Sequence, residues 1–310
     1  MKRLSGIYLR GMAMGAADVV PGVSGGTIAL ITGIYEQLIT TLSGLKPSLL
    51  GVWRRQGFLA FWQASNLGFL VALLAGIVTS IALLARLITW LMDVYPVPLW
   101  SFFCGLIIAS ILLLLKPLRM KQLSTWLMLA AGVLIAVWVM SRPPLGGTLA
   151  LTLPVFFIAG AVAICAMILP GISGSFILVI LGMYAPVLAA VKGGEWAILL
   201  AFVAGCATGL LSFVHLLRWL LARFHDPVMA MLVGFMAGSL AVLWPWRVPD
   251  ASGAALFRTV WPAQYVAETG LPALLPAAVI AAVAGLALVW LLSHFAGHNE
   301  ANSAAGTSAS

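Results

Sequence analysis

Apolar positions along this chain do not alternate, nor do they recur in narrow stripes; they form long runs joined by short polar links. Runs close to the ~20 residues that cross ~30 Å of hydrocarbon predict membrane-spanning helices. From the N-terminus, a weakly apolar segment at about 7–20 is followed by a second at about 24–42. Residues 43–66 mix Lys46, Arg54 and Arg55 with Trp53, Phe58, Phe61 and Trp62, which suits a helix lying in the membrane interface. Spans are expected at about 69–91, 98–115 and 123–140. The pattern then restarts, with segments at 152–169 and 174–191 and spans at about 197–221, 228–244 and 272–293. Residues 297–310 are small and polar and read as a disordered tail.

The runs are interrupted twice by the same device. Pro21-Gly22-Val23-Ser24-Gly25-Gly26-Thr27 returns 149 positions later as Pro170-Gly171-Ile172-Ser173-Gly174-Ser175-Phe176. Each copy is followed at the same distance by Gly-x-Tyr, with Gly33 and Tyr35 in the first and Gly182 and Tyr184 in the second. Proline removes a backbone N–H and glycine admits non-helical dihedrals, so Pro21-Gly22 and Pro170-Gly171 should break the helix. Ser24 and Ser173 should restart it as N-caps. Free N–H groups at Gly25, Gly26 and Gly174, with the hydroxyls of Ser24, Thr27, Ser173 and Ser175, then make an anion-friendly element inside lipid. A mere kink in packed helices is the plainer reading of one copy; two matched copies favour binding.

The repeat is longer than the motif. At an offset of 129, Ala75-Gly76 matches Ala204-Gly205, Thr79 matches Thr208, Trp90 matches Trp219, Pro98 matches Pro227 and Gly105 matches Gly234. The offset shortens because the second half replaces the interfacial insert with Lys192-Gly193-Gly194-Glu195. A motif-centred pair that ends on the side where it began, followed by three crossings, turns the second half upside down. The expected fold is therefore an all-α polytopic membrane protein of two inverted repeats, at 1–141 and 142–296. Each is a re-entrant helix-break-helix pair plus three transmembrane helices, an architecture of transporters. A cytoplasmic N-terminus puts eleven Lys and Arg residues inside and five outside, as bilayer proteins prefer, with both termini cytoplasmic.

Composition narrows the function. The chain is 63% hydrophobic and 8% charged, with mean hydropathy +1.13, which excludes a soluble domain. Its net charge of +8 is scattered over short loops and is not a nucleic-acid surface. Cys104, Cys165 and Cys206 lie in apolar runs without metal-ligand spacing and read as small buried hydrophobes, so no metal or cofactor is expected. Lys2 and Arg3 are followed by a stretch that Arg10 and Asp18 interrupt, which is no clean signal peptide. Embedded ionisable groups usually mark pathways, and Asp18, Glu36, Arg86 and His215 are the candidates. Asp18 and Glu36 flank the first break and suit coupling to protons, with His215 a further coupling candidate. Arg86 suits a contact to a bound phosphate and a balancing cation when the site is empty, and Tyr35 and Tyr184 could reach the same phosphate. His225 reads as a solvated loop residue.

The first motif, Gly15-Ala16-Ala17-Asp18-Val19-Val20-Pro21-Gly22-Val23-Ser24-Gly25-Gly26-Thr27 with Gly33-x-Tyr35-Glu36, resembles the opening motif of the bacterial polyprenyl-phosphate transporter family. The second motif is similar to that family's second half, and the resemblance covers nearly the whole chain except the tail. It implies a transporter, not an enzyme, located in the bacterial inner membrane. Its substrate would be undecaprenyl phosphate, the lipid carrier of envelope synthesis, moved from the outer to the inner leaflet. Two other classes stay open on the residues alone. Inverted repeats with inward helix N-termini also serve small-anion channels and ion-coupled transporters. Gly22-Val23-Ser24-Gly25 and Gly171-Ile172-Ser173-Gly174 also fit the Gly-x-Ser-Gly pattern of rhomboid proteases, with His215 the candidate base. The coupling ion, and whether the chain works as a monomer or a homodimer, are left open.

Overall fold

Each expected span forms a helix in the computed structural model. It describes residues 2–19, 24–119, 122–145, 151–250 and 257–307, without the side chains of 2, 3, 292, 293 and 295–307. The first half comprises α1 (Lys2–Asp18), α2 (Gly25–Ile31), α3 (Tyr35–Ser43), α4 (Leu49–Ala64), α5 (Leu67–Val94), α6 (Pro96–Leu115) and α7 (Leu123–Met140). The second comprises α8 (Leu153–Ile168), α9 (Gly174–Ile180), α10 (Tyr184–Gly193), α11 (Trp196–Arg223) and α12 (His225–Leu243). A hairpin of β1 (Arg247–Pro249) and β2 (Phe257–Thr259), then α13 (Pro262–Thr269), precede α14 (Leu275–Thr307). Among them α5, α6, α7, α11 and α12 are long and apolar enough to cross a bilayer. Their outward faces carry exposed large apolar side chains such as Val78, Leu83, Leu134 and Leu200. The chain is an all-α polytopic membrane protein with a small β-hairpin added at one end.

Glycines set the helix crossings, and the crossings repeat. Gly11 packs on the Leu73 carbonyl and Gly76 on that of Tyr8, where α1 meets α5 with no room for a β-carbon. Gly160 on Phe202 and Gly205 on Phe157 are the counterparts between α8 and α11. Such close backbone approach is how helices associate in lipid, where no hydrophobic force drives them together. Gly105 and Gly285 likewise join α6 to α14, meeting Ala282 and Phe102, while Gly234 and Gly132 join α12 to α7, meeting Leu129 and Met231. Thr79 and Thr208 each bond the carbonyl four residues back, at 2.7 and 2.8 Å. The residues matched in sequence thus occupy matched contacts. The third span of each half packs on the second span of the other, so the halves interlock instead of standing as separate bodies.

Four expectations need correction. The segments at 24–42 and 174–191 are each two helices. After α2 the Gly33 and Ile34 N–H groups turn back to Leu30 and Ala29 (3.2 and 3.0 Å), and after α9 the Gly182 and Met183 N–H groups turn back to Val179 and Leu178 (2.9 and 2.8 Å). That C-terminal motif needs a left-handed residue, and Gly33 (φ 73°) and Gly182 (φ 69°) supply it. The axes of α9 and α10 consequently differ by 104°. Second, Ser173 opens α9 without the N-cap hydrogen bond expected of it, because its hydroxyl pairs with that of Ser175 instead. Third, the cysteines are half-buried and unpaired rather than fully buried. Fourth, the hairpin and α13 were unforeseen. There the Arg247 guanidinium lies 3.8 Å from the Trp100 ring centroid and 4.7 Å from that of Phe257, and donates to the Val242 carbonyl at 2.6 Å. Helix α4 forms as expected in the 43–66 insert, with no buried residue.

Candidate functional site

The second break falls where its residues predict. Helix α8 stops at Ile168, Pro170 and Gly171 turn the chain, and α9 restarts after Ser173. Gly171 takes φ 84° with its backbone against Phe235 and Met236 of α12, where a β-carbon has no space. In the first break Pro21 and Gly22 lie outside the described residues, but both ends are defined. Helix α1 ends at Asp18, and Ser24 caps α2 with its hydroxyl accepting from the Gly26 N–H at 3.1 Å. Ser173 occupies the same place without doing the same work: its Oγ pairs with Ser175 Oγ at 2.9 Å and caps no backbone N–H.

The two breaks touch. The Gly171 N–H donates to Thr27 Oγ1 at 2.9 Å, across 144 residues of sequence. Ser24 Oγ lies 3.4 Å from both the Met167 and the Leu169 carbonyls, and the Tyr35 hydroxyl donates to the Ile168 carbonyl at 3.3 Å. Gly26 faces the Ile168 carbonyl and Gly174 the Ala163 carbonyl, each too closely for a side chain. Ser24, Thr27, Tyr35 and Ser173 are buried, whereas Ser175 is exposed. The carbonyls freed where α8 ends are therefore met by the first half's hydroxyls, as buried backbone groups require. Asp18 supplies the local anion: its Oδ1 accepts the Gly25 N–H at 2.7 Å.

The remaining candidates lie elsewhere. Arg86 is exposed on α5 and makes no ion pair among the described residues. Tyr184 opens α10 and is 46% exposed where its counterpart Tyr35 is 1% exposed, so the two halves use this tyrosine differently. His215 is exposed on α11, with Nδ1 2.6 Å from the Leu211 carbonyl one turn back. No hydrogen bond among the described residues joins a motif serine to a histidine, the pairing that a rhomboid-like nucleophile needs. Glu36 points away from the breaks: its Oε1 lies 3.0 Å from His225 Nε2, whose Nδ1 is 3.1 Å from Asp226 Oδ1. Arg119 Nε completes the chain at 3.7 Å from Asp226 Oδ2. His225 thus ties α3 to the start of α12; it is exposed, as expected, but it opens a helix instead of lying in a loop. Nothing in the local sequence marks this link, because Glu36 and His225 are 189 positions apart.

No group of three or more His, Cys, Asp or Glu residues among the described ones is arranged to hold a metal ion. No solved structure matches the chain. Over 297 residues it is 48% identical to the polyprenyl-phosphate transporter of Vibrio cholerae, covering 93% of this chain and 96% of that one. The polyprenyl-phosphate transporter of Staphylococcus aureus is 35% identical over 253 residues, covering 76% and 85%. Residues 14–255, which contain both breaks and the α7–α12 crossing, match the undecaprenyl phosphate translocase-like family. The chain belongs to that family.

Proposed function

We propose that this protein transports undecaprenyl phosphate across the bacterial cytoplasmic membrane, from the outer to the inner leaflet, so that the carrier re-enters envelope synthesis. The observation that carries the reading, beside family membership, is the contact between the two breaks through Thr27, Gly171 and Ser24. A lipid phosphate must cross a medium in which an unpaired anion is prohibitively costly. Ser24, Gly25, Gly26, Thr27, Ser173, Gly174 and Ser175 place N–H and hydroxyl groups where both halves meet. In this reading Asp18 holds the Gly25 amide until the phosphate takes it, and the expelled carboxylate takes up a proton. The isoprenoid tail stays in the bilayer throughout.

Helix directions support an inverted arrangement of the halves. Gly234 approaches Leu129 and Gly238 approaches Val133 and Ala136, so α7 and α12 run the same way. If successive spans cross in opposite directions, the third span of one half can parallel the second span of the other only when the halves are inverted. The N-terminus is then cytoplasmic by the distribution of basic residues.

The test is reconstitution of the full chain in vesicles with labelled undecaprenyl phosphate in both leaflets, exposed to an impermeant phosphatase. Protein-dependent access to the inner pool is expected, while undecaprenol, which lacks the phosphate, should not compete. Passage of chloride or inorganic phosphate without movement of the lipid would establish the small-anion reading instead.

A further inference from the structure

The two interlocked crossings differ in one respect. On the α7–α12 side, contact continues past Gly234 because Gly238 brings its backbone against Ala136. The residue of α6 that matches Gly238 at the 129-residue offset is Ala109. Beyond the Gly105–Gly285 crossing, α6 and α14 accordingly diverge and leave a cleft of about 700 Å³. Its walls are apolar, with Leu112 and Leu113 from α6 and Val283 and Leu286 from α14. Its far end holds Lys116, which follows the last residue of α6, and Trp290, whose ring stacks on His294 at 5.6 Å. Lys116 is exposed and makes no ion pair among the described residues. From Ala109 to Lys116 the groove is ~10 Å long, at 1.5 Å of helix per residue, which reaches from headgroup level into one leaflet.

A cleft with hydrocarbon walls along its length and one cation at its end is complementary to a lipid with an extended tail and a small anionic head. We propose that the α6–α14 cleft is a lateral berth for a polyprenyl phosphate, the tail between Leu113 and Leu286 and the phosphate on Lys116. This rests on the transport reading above, and it places the berth in the cytoplasmic leaflet, where positive-inside orientation puts Lys116. Lysine suits the role, since a flexible stem can carry its ammonium along an apolar wall to the headgroup layer. No residue of either break lines the cleft, so it serves arrival or departure of the lipid and not the crossing itself.

A polyprenyl phosphate with a photoreactive group in its tail, added to the full chain in phosphatidylcholine nanodiscs, tests this. Adducts should fall within 109–116 and 283–290. Lys116→Gln should reduce them roughly tenfold, the order expected for a charge-assisted hydrogen bond, and Ala287→Trp should abolish them by filling the cleft. Both variants should keep the elution profile and melting temperature of the parent. Equal labelling by the corresponding polyprenol, or equal competition by phosphatidylglycerol, overturns the berth. So do adducts confined to the two breaks. A chain that translocates the lipid but never labels in the cleft disproves the berth alone. One that labels there but moves no lipid between leaflets disproves the transport reading alone.

Discussion

At the scale of single residues, the breaks are held by groups whose replacement has different costs. Thr27 is fully buried and its Oγ1 is the acceptor for the Gly171 N–H. Thr27→Val keeps the shape but leaves that N–H unsatisfied, so it should cost ~1–3 kcal/mol. Thr27→Ser should recover most of it, as read by thermal unfolding in detergent micelles. Asp18→Asn retains an acceptor for the Gly25 N–H and removes the charge. Lipid-phosphate binding by titration should then stay as tight or tighten, because the carboxylate no longer repels the phosphate; weaker binding would remove Asp18 from the anion-exchange role. Position and residue type made both motifs legible in the sequence, including the N-cap at Ser24. What the sequence could not show is that Thr27, Ser24 and Tyr35 are engaged by the other break. That follows from where α8 ends relative to α2, a fact of packing with no local signature.

At the scale of elements, hydropathy located the spans because lipid imposes one length and one composition on them. It missed the bends at Gly33 and Gly182, since a glycine inside an apolar run looks the same whether it packs or turns. It also missed the hairpin, whose strands are three residues each. Arg247 fastens that hairpin to α6 and α12 between two aromatic rings. Burial lowers its pKa to about 10, which leaves it charged at neutral pH. Arg247→Gln removes both ring contacts and should lower stability by ~1–3 kcal/mol. Arg247→Lys should recover only part of this, because an ammonium cannot stack on two rings as a planar guanidinium does. An unchanged melting temperature in the glutamine variant would show that the hairpin is held instead by the flanking Trp244, Trp246 and Trp261, whose rings pack at 5.6 and 6.0 Å.

At the scale of the whole molecule, the glycines and threonines that sit in matched contacts were legible as pairs in the sequence, but the packing of each half's third span on the other half was not. Helices that cross by close glycine contact leave the same sequence pattern whichever partner they meet. Two measurements address the arrangement. Single cysteines at 143–145, in a cysteine-free background, should react with an impermeant maleimide added outside intact cells. Those at 117–119 should react only after permeabilisation; labelling of both sets from outside would rule out the inverted topology. The fragments 1–141 and 142–310 should each be degraded when expressed alone, because α6, α7, α12 and α14 all lose their main partners. Expressed together they should co-purify, and a stable isolated half would contradict the interlock.

The interlock also has a consequence for synthesis. Helix α7 leaves the ribosome about a hundred residues before α12 is complete, and α6 waits longer still for α14. At translation rates of ~5–20 residues per second, each idles in the membrane for roughly 5–20 s or more without its partner. During that interval their glycine faces, Gly105 and Gly132, are open to any neighbouring helix. The nascent first half is therefore a natural client for an insertase or membrane chaperone that shields small-residue helix faces until translation ends.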